Sequence, residues 1–412
     1  MNSPADSAAV RRGNLSLVLR HIAAHGPCAR TEIAAATGLV HATVTALVAD
    51  LMTRGLVEEV GVTASGSRGR PRRLLHLVAE RVRIVAAHVT WGDIRLVTAG
   101  VTGELIDAGR ARHPGPFGPP EPMADAIATA VTEAVSPGPD VHLGRLVIAM
   151  SGPVTSGRAK APTEGVGWHA PTLGALVAER LPGLSCPVEV VNDADLAALA
   201  EYHALRLPGT EGPSTVAYVK SDSGVGGGLL INGRIHQGSH GLGGEVAHLP
   251  VSLDGPRCRC GAHGCLTAYV STHAVLESAG LGRESVPEGI DAALAELGRR
   301  LRAGEPRALA TLDQAGHALG AAIQSIVGLT DAEEIILGGH LTDWIPWLTP
   351  GIDTRLAARR RAFPTLPIAV TPGVLGARAA LHGAVQTGRD RVLADPAEVP
   401  PCRARPSQAH PV

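Results

Sequence analysis

The sequence has few aromatic residues, almost no lysine and almost no net charge. Phe, Trp and Tyr make up 2% of its 412 residues, so a core has to be built from Ala, Val, Leu and Ile. The formal net charge of −1 gives no overall attraction to nucleic acid or membranes, and any such binding must come from a local patch. Lysine occurs only as Lys160 and Lys220, which we interpret as a compositional bias and not as a functional signal.

Long apolar runs and a secretory signal are also absent. No apolar stretch reaches the length of a membrane span, and the first residues, MNSPADSAAVRRG, lack the apolar core of a signal peptide. We therefore expect a cytoplasmic protein with no membrane partner. Hydrophobic residues make up 45% of the chain and charged residues 18%, which is typical of a globular protein with two or three domains.

Cysteine is scarce except in one place. Cys28, Cys186 and Cys402 are scattered along the chain, as is typical of free thiols in a reducing compartment. Residues 258–265, in contrast, read CRCGAHGC. The two glycines would let the backbone fold around an ion, so we favour a metal site over three unligated buried thiols.

A tetrahedral zinc ion needs a fourth ligand beside the thiolates of Cys258, Cys260 and Cys265. His248 in GEVAHLP is the nearest good candidate, although His263 lies inside the cluster itself. Four protein ligands leave no position for a reacting water, so the sequence predicts one structural Zn²⁺ per chain.

The N-terminal part predicts a winged helix-turn-helix domain over 14–78, after a flexible N-terminus over 1–13. NLSLVLRHIAAHG has apolar residues at helical spacing, ARTEIAAATG is a second short helix, and HATVTALVADLMTRG follows after a tight glycine turn. LVEEVGVTASGSRGRPRRLLHLV then alternates and turns like a two-stranded wing.

In such a domain the second helix of the motif enters the major groove of DNA. The positions expected to face the bases are His41, Ala42, Thr43, Thr45 and Ala46. The wing sequence SGSRGRPRRL is basic, and Arg68 and Arg70 lie in a turn narrow enough for the minor groove. A solvated turn is the alternative, but the position beside a helix-turn-helix favours DNA contact.

From residue 82 onward, strands alternate with alanine-rich helices, which predicts an α/β architecture. RLVIAMSGPV is a buried strand ending in a glycine loop, VEVVNDADLAALAEYHAL is a strand leading into a helix, and TVAYVKSDSGVGGGLLINGRIHQG is a strand pair around a glycine loop. The Pro-rich tail over 391–412 is predicted to be disordered.

These motifs, with EEIILGGHL and GLGGEVAHLPVSLDGPRCRCGAHGCLTAYVS, resemble those of the ROK family of repressors, open reading frames and sugar kinases. The resemblance extends from Asn14 to about Val385. It implies an actin/hexokinase-like fold of two α/β lobes with a sugar between them, preceded in the repressor branch by a winged helix. The implied lobes are 82–198, completed by a C-terminal helix at about 373–388, and 199–372, which carries the zinc-binding loop.

The resemblance also favours His248 over His263 as the zinc ligand and implies a sugar site. The residues that would contact the sugar are Gly152, Asn192, Asp193, Glu245 and His248. Asp193 stands where the kinases have their general base, and His248 would bind zinc through one ring nitrogen and sugar through the other. Singly, Asn192 could be a turn former and Glu245 a solvated carboxylate, but their order along the chain favours a sugar site.

Phosphoryl transfer depends on phosphate-binding loops, and the first of these differs here. By the resemblance it reads Asp-x-Gly-x-Thr, whereas this chain has His88, Thr90 and Gly92 at those places. An imidazole cannot replace a carboxylate at a magnesium-bound phosphate, and Thr90 obstructs the close approach that glycine allows. A misaligned strand is the alternative, since Asp93 is nearby. The second loop, DSGVGGG, keeps its glycines and a hydroxyl at Ser223, so we expect catalysis to be lost and nucleotide binding to be weakened but not excluded.

Two further positions differ from the family pattern. Thr267 follows GCL where a sugar-binding glutamate is usual, and Asp195 stands where asparagine is common. The loss of a charged acceptor costs about 1.5–3 kcal/mol per hydrogen bond, so we expect an unusual effector or none.

The leading interpretation is a sugar-responsive transcriptional repressor without kinase activity. It would bind palindromic operator DNA as a homodimer or homotetramer and take a sugar or sugar phosphate as effector. The alternatives are an ATP-dependent sugar kinase that carries a DNA-binding head, and a regulator that no longer senses sugar.

Overall fold

The computed structural model describes most of the chain, and the helices and strands given below lie in that part. The described residues are 7–63, 72–90, 92–113, 115, 119–135, 141–155, 168–182, 186–206, 210, 212–222, 224–282, 289–365 and 368–402. They form a winged-helix unit followed by a body with two five-stranded sheets.

The winged-helix unit consists of three helices and a small antiparallel sheet. Its helices are α1 (Ser7–His25), α2 (Arg30–Thr37) and α3 (His41–Thr53). Its strands are β1 (Cys28–Ala29), β2 (Val57–Thr63) and β3 (Arg72–Leu77), in the order β1-β3-β2. Gly38 ends α2 with a φ of 71°, a left-handed conformation that favours glycine and turns the chain into α3.

The apolar faces expected from helical spacing are buried in this unit. They consist of Leu15, Val18, Leu19 and Ile22 on α1 and Val44, Leu47, Val48 and Leu51 on α3. The prediction of a flexible N-terminus over 1–13 is wrong from Ser7 onward, because α1 begins there and its Arg11 donates to Asp50 of α3 at 2.7 Å. Residues 1–6 and the wing tip with Arg68 and Arg70 lie outside the described residues.

The first sheet of the body has the strand order β10-β7-β4-β5-β6. Its strands are β4 (Val82–Val89), β5 (Ile94–Gly100), β6 (Leu105–Ala111), β7 (His142–Met150) and β10 (Val188–Asn192). A two-stranded pair, β8 (Val154–Thr155) and β9 (Trp168–His169), follows β7. Helices α4 (Pro120–Ala134) and α5 (Ala170–Arg180) pack their apolar side chains on one face of the sheet.

The second sheet has the strand order β13-β12-β11-β14-β15. Its strands are β11 (Thr215–Ser221), β12 (Val225–Ile231), β13 (Arg234–Ile235), β14 (Glu334–Gly339) and β15 (Ala369–Pro372). Its helices are α7 (Thr267–Val270), α8 (Thr272–Ser278), α9 (Ile290–Arg302), α10 (Pro306–Thr330) and α11 (His340–Ala362). These helices form one apolar core on the outer face of the sheet.

Two helices, α6 (Asp193–Ala204) and α12 (Ala379–Ala394), lie between the sheets and share one core with both. The implied lobe boundary at 198/199 is therefore wrong, because it falls inside the continuous helix α6. The C-terminal helix also runs from 379 to 394, later than the implied 373–388. Gly383 of α12 crosses α6 so closely that a Cβ there would collide with the carbonyl oxygen of Leu196.

The last described segment packs on the winged-helix unit. Residues 395–402, which we call the C-terminal strap, place Val399 in the same core as α1 and α3, together with Val392 at the end of α12. Arg54 donates to the carbonyl oxygens of Ala397 and Val399 at 2.9 and 2.6 Å. The prediction of disorder over 391–412 is thus wrong for 391–402, and 403–412 lie outside the described residues.

Within the described residues, no single helix has the length and apolar character of a membrane span. The pair α2 and α3 meets that criterion only when counted together, and the two helices are bent by 117° at their break. Leu47, Val48 and Leu51 of this pair are buried in the core of the winged-helix unit.

Candidate functional site

Four side chains converge next to the second sheet in a cluster that could bind a metal ion. The ligand atoms of His248, Cys258, Cys260 and Cys265 all lie within 4.8 Å of one another. Sγ of Cys258 lies 3.5 Å from Nδ1 of His248, and Sγ of Cys260 lies 3.6 Å from Sγ of Cys265. Bonds of about 2.0–2.3 Å to a tetrahedral zinc ion would require similar spacings. The donor set and its spacing therefore fit zinc.

The loop reaches this geometry through tight backbone contacts. Gly264 has a φ of 65°, and a Cβ there would collide with the carbonyl oxygen of Ser252, so glycine is needed where the chain turns back to Cys265. His263 stays outside the cluster, and its Nδ1 lies 3.2 Å from the carbonyl oxygen of Gly255. The structure thus brings Nδ1 of His248 to the thiols. Nε2 is the ring nitrogen that remains for another contact.

The N-terminus of α6 lies where the end of β10 comes next to the end of β11, a region that we call the opening between the two sheets. Asn192 caps it, because its Oδ1 accepts hydrogen bonds from the backbone N–H groups of Ala194 and Asp195 at 2.8 and 3.2 Å. Its Nδ2 donates to the carbonyl oxygen of Gly152 at 2.8 Å. The structure therefore joins two of the expected sugar residues to each other, and the amide of Asn192 has a structural role as helix cap.

Asp193, the first residue of α6, is 2% exposed and surrounded by donors. Its Oδ2 lies 2.6 Å from Oγ of Ser151, 2.8 Å from Nζ of Lys220 and 3.0 Å from Nε2 of His88. Lys220 also donates to Oδ2 of Asp222 at 2.8 Å. Burial alone would raise the pKa of Asp193, but the Lys220 ammonium and the His88 imidazole outweigh it and hold the pKa below its usual value.

Two further carboxyl groups lie near Asp193. Burial and the charges of Asp193 and Glu245 raise the pKa of Asp195 to about 8, and its Oδ1 is a buried oxygen without a hydrogen-bond partner among the described residues. Burial also raises the pKa of Glu245, whose Oε1 accepts weakly from the backbone N–H of Ala247 at 3.4 Å. This side of the opening thus has more carboxyl groups than cations.

The segment aligned with the first phosphate loop is a self-contained turn. Oγ1 of Thr90 donates to Oδ1 of Asp93 at 2.7 Å, and the backbone N–H groups of Gly92 and Asp93 donate to the same hydroxyl. Asp93 is buried and pairs with Arg95 and Arg110. The groups of this turn therefore bind one another.

The glycines of the second loop have packing roles. A Cβ on Gly226 would lie 2.9 Å from Cβ of Ala194, and one on Gly228 would lie 2.8 Å from Cβ of Ala198. A Cβ on Gly227 would come within 2.6 Å of Val246. Strand β12 needs these glycines to let α6 and the metal-binding loop approach it, whether or not a phosphate binds. Ser223 lies outside the described residues.

The winged-helix surface carries the residues expected to face DNA. His41, Ala42, Thr45 and Ala46 are exposed on α3, and Thr43 is half-buried. Val40 precedes the helix without a side-chain cap, and Oγ1 of Thr45 donates back to the carbonyl oxygen of His41 at 2.9 Å. The exposed Arg73 of the wing pairs with Glu59 at 2.6 Å.

Two family models match this chain. The MarR family model matches residues 16–69, which cover the helix-turn-helix, and the ROK family model matches residues 97–390, well over half of the chain. The chain belongs to the ROK family. The winged helix and the family resemblance predicted from the sequence are thereby confirmed.

Relatives of this ROK protein include both regulators and kinases. The xylose repressor of Bacillus subtilis (strain 168) is 24% identical over 86% of this chain and 89% of the repressor. A transcriptional regulator of Mycobacterium tuberculosis (strain H37Rv) is 27% identical over 92% of this chain and 85% of the regulator. The kanosamine kinase of Amycolatopsis mediterranei is 35% identical, but over only 47% of this chain and 60% of the kinase.

Solved ROK structures show the same fold. A ROK family transcriptional regulator described as a homologue of the E. coli MLC protein superposes with a TM-score of 0.72 at 22% identity, over 93% of this chain and 98% of the regulator. A ROK family glucokinase from Streptomyces griseus, in complex with glucose and AMPPNP, superposes with a TM-score of 0.58 at 24% identity, over 74% of this chain and 99% of the kinase. The actin/hexokinase-like architecture with an N-terminal winged helix is confirmed.

Sequence reasoning missed the partner of Asp193 in this ROK chain. Lys220 was interpreted as a compositional residue, yet it is buried between two carboxylates. The available signal was a cation in the apolar strand TVAYVKS of a chain with only two lysines. Ser151 and Asp222 were likewise quoted in motifs without a role.

Proposed function

We propose that this ROK protein is a sugar-responsive transcriptional repressor without kinase activity. The observation that carries the proposal is the shared core of the winged-helix unit, α12 and the C-terminal strap. This core makes the DNA-binding unit continuous with the helix that packs on α6, and the N-terminus of α6 lies at the proposed sugar site. The similarity to a xylose repressor over most of both chains supports the same conclusion.

A sugar would bind between the sheets. Gly152, Asn192, Asp193, Glu245 and His248 would line this site. Asp193 and Glu245 would accept hydrogen bonds from hydroxyl groups, and Nε2 of His248 would face the ligand while Nδ1 faces the metal. Movement of α6 would be transmitted through α12 to the winged-helix unit, provided that the sugar binds two arrangements of the sheets with different affinity.

His248, Cys258, Cys260 and Cys265 would hold one Zn²⁺ per chain. When bound, the ion supplies structural cross-linking and no reacting water, because all four positions are taken by protein ligands. The cross-link would order the loop that carries Glu245 and His248. The zinc would thus position half of the proposed sugar site without taking part in chemistry.

DNA would be bound by α3 and the wing of a homodimer or homotetramer on a palindromic operator. His41, Ala42, Thr43, Thr45 and Ala46 include no arginine, so base readout by α3 would be sparse. Arg68 and Arg70 would add contacts in the minor groove.

The first experiment is selection of the operator from random DNA, followed by anisotropy titrations with glucose, xylose, glucosamine, kanosamine, N-acetylmannosamine and their 6-phosphates. At least one compound should change operator affinity five-fold or more, since couplings of about 1–3 kcal/mol are typical. Operator binding that no compound affects, with no heat of sugar binding in calorimetry, would select a regulator without sugar sensing.

Arg68→Ala/Arg70→Ala tests the wing. The double variant should weaken operator binding. It should also make the negative slope of log K against log salt shallower by about 1.8, or about 0.9 for each phosphate charge that is no longer neutralised. Arg299→Ala on α9, an exposed arginine of the body, is the matched control. Unchanged affinity of the double variant would remove the wing from the interface.

Sugar kinase activity is the second candidate function, favoured by the 35% identity to kanosamine kinase. Three features oppose it: Thr90 and Asp93 close the first loop, Oδ2 of Asp193 is engaged by three donors, and Asp222 adds a negative charge beside the second loop. A coupled ADP-release assay with the same sugars should show no turnover. Turnover that Asp193→Asn abolishes would establish the kinase instead.

A further inference from the structure

The two sheets are joined across their opening by a buried ion pair. Lys220 lies on β11 of the second sheet, and its Nζ is 2.8 Å from Oδ2 of Asp193, which follows β10 of the first sheet. The side chains of Lys220 and Asp193 are only 8% and 3% exposed. Solvent therefore screens this attraction far less than it screens a surface pair.

The first sheet contributes two more partners at the same carboxylate oxygen. His88 comes from β4 and Ser151 follows β7, and both lie within 3.0 Å of Oδ2. On the other side, Asp222 shares the ammonium of Lys220 at 2.8 Å. Among the described residues, Lys220 is thus the cation of this cluster that contacts two carboxylates, that of Asp193 after β10 of the first sheet and that of Asp222 after β11 of the second.

We propose that Lys220 is a positioning residue, a built-in counter-ion that fixes Asp193 as an ionised carboxylate and ties the two sheets together without any ligand. Its consequence for an effector rests on the proposed sugar site. With Oδ2 occupied by three donors, Asp193 meets a ligand through Oδ1, and only as a hydrogen-bond acceptor. A ligand group at that position must then be a donor, such as a hydroxyl or an ammonium.

The surroundings make Lys220 the decisive charge for Asp193. The titratable groups that face the pair from the packed elements are His88, Asp195, Tyr218, Asp222, Glu245 and His340. Of these, the carboxylate of Asp222 opposes ionisation of Asp193, as do Asp195 and Glu245 when they carry a charge. Loss of the ammonium would leave Asp193 beside like charges in a buried place, where a carboxyl group takes up a proton.

The test needs no ligand, so its outcome is independent of whether a sugar binds. Thermal unfolding of the full chain is measured between pH 5 and pH 8 for the wild type, Lys220→Met and Lys220→Met/Asp193→Asn. Lys220→Met should unfold about 10 °C lower at pH 8. The difference in unfolding temperature between Lys220→Met and the wild type should shrink toward pH 5, because a protonated Asp193 needs no cation. The double variant should regain most of the lost unfolding temperature and show the pH dependence of the wild type.

Hydrogen exchange supplies a local measure. Lys220→Met should speed amide exchange at least ten-fold in peptides from β11 and the start of α6, and leave those from α9 unchanged. A deficit that is equal at all pH values, or that Asp193→Asn does not relieve, would overturn the proposal. If Lys220→Met does not fold, the double variant decides: recovered folding supports the pairing, and continued failure overturns it.

Discussion

The metal cluster and the Asp193 cluster are two ways of holding charged groups together. In the first, three cysteines and His248 bring their ligand atoms within 4.8 Å of one another, and a cation from solution would complete the site. In the second, the carboxylates of Asp193 and Asp222 surround a cation that the chain itself provides, Lys220. The comparison teaches that the half of the proposed sugar site next to the metal cluster depends on a cation from solution, whereas the half around Asp193 has its cation within the chain.

The largest effect should come from removing the external cation. Cys260→Ser should lose the single metal ion per chain and lower the unfolding temperature by about 10 °C or more, since metal binding contributes folding free energy directly. Metal analysis and thermal unfolding measure the two effects. Cys402→Ala, which removes an exposed thiol outside the cluster, should retain the metal ion and the wild-type unfolding temperature. A full metal complement in Cys260→Ser would refute the ligand assignment.

Removal of the central carboxylate should have the next largest effect. Asp193→Asn leaves Lys220 buried with one carboxylate instead of two, and we expect the free energy of unfolding to fall by about 3 kcal/mol. Urea unfolding measures this change. Asp313→Asn on the exposed side of α10 should cost less than about 0.5 kcal/mol. Equal losses in the two variants would mean that the buried cluster has no special stabilising role.

A smaller effect is expected at the outer carboxylate of the same cluster. Asp222 is 33% exposed in its side chain, so solvent screens its attraction to Lys220. Asp222→Asn should therefore lower the free energy of unfolding by only about 1 kcal/mol, by urea unfolding at pH 7. A loss as large as that of Asp193→Asn would reverse the order of the two partners.

One substitution near the same cluster should instead stabilise the protein. The native pKa of Asp195 is about 8 against an ordinary value of 3.8, so the native state retains a proton that the unfolded state releases. The wild type therefore loses stability as pH rises from about 4 to 8. Asp195→Asn lacks this loss and should therefore be more stable than the wild type at pH 8, by about 1.4 kcal/mol for each unit by which the native pKa is raised.

Urea unfolding at pH 5, 6.5 and 8 measures the difference between Asp195→Asn and the wild type. The stability advantage of Asp195→Asn should grow with pH, because over this range the unfolded wild-type carboxyl group is ionised whereas the native one keeps its proton until about pH 8. A constant difference would show that the native and unfolded carboxyl groups are ionised alike at these pH values, so that the native pKa of Asp195 is not raised.

Local patterns predicted the parts of the fold whose partners are close in sequence. Val44, Leu47 and Val48 recur at helical spacing and are buried as that spacing indicates. The metal cluster lies within 18 residues of chain, 248–265, so spacing and donor chemistry were enough to find it. Periodicity and spacing need no knowledge of distant chain segments.

Features that depend on distant segments were missed. Asp193 is 105 residues from His88 and 27 from Lys220 in the chain, and no periodicity links them. The strap was assigned as disordered because its sequence is rich in proline, yet Val399 is buried because the winged-helix unit offers it an apolar surface. Burial there is a property of the partner surface and cannot be read from the segment alone.

The shared core of the winged-helix unit has a consequence for how the protein is made. Val392, Leu393 and Val399 complete a core that includes Leu15, so the packing of the winged-helix unit is finished only after Val399 has left the ribosome. A nascent or prematurely terminated chain would then lack a finished DNA-binding head. An exchange of the winged-helix unit of this protein for another would have to include the C-terminal strap.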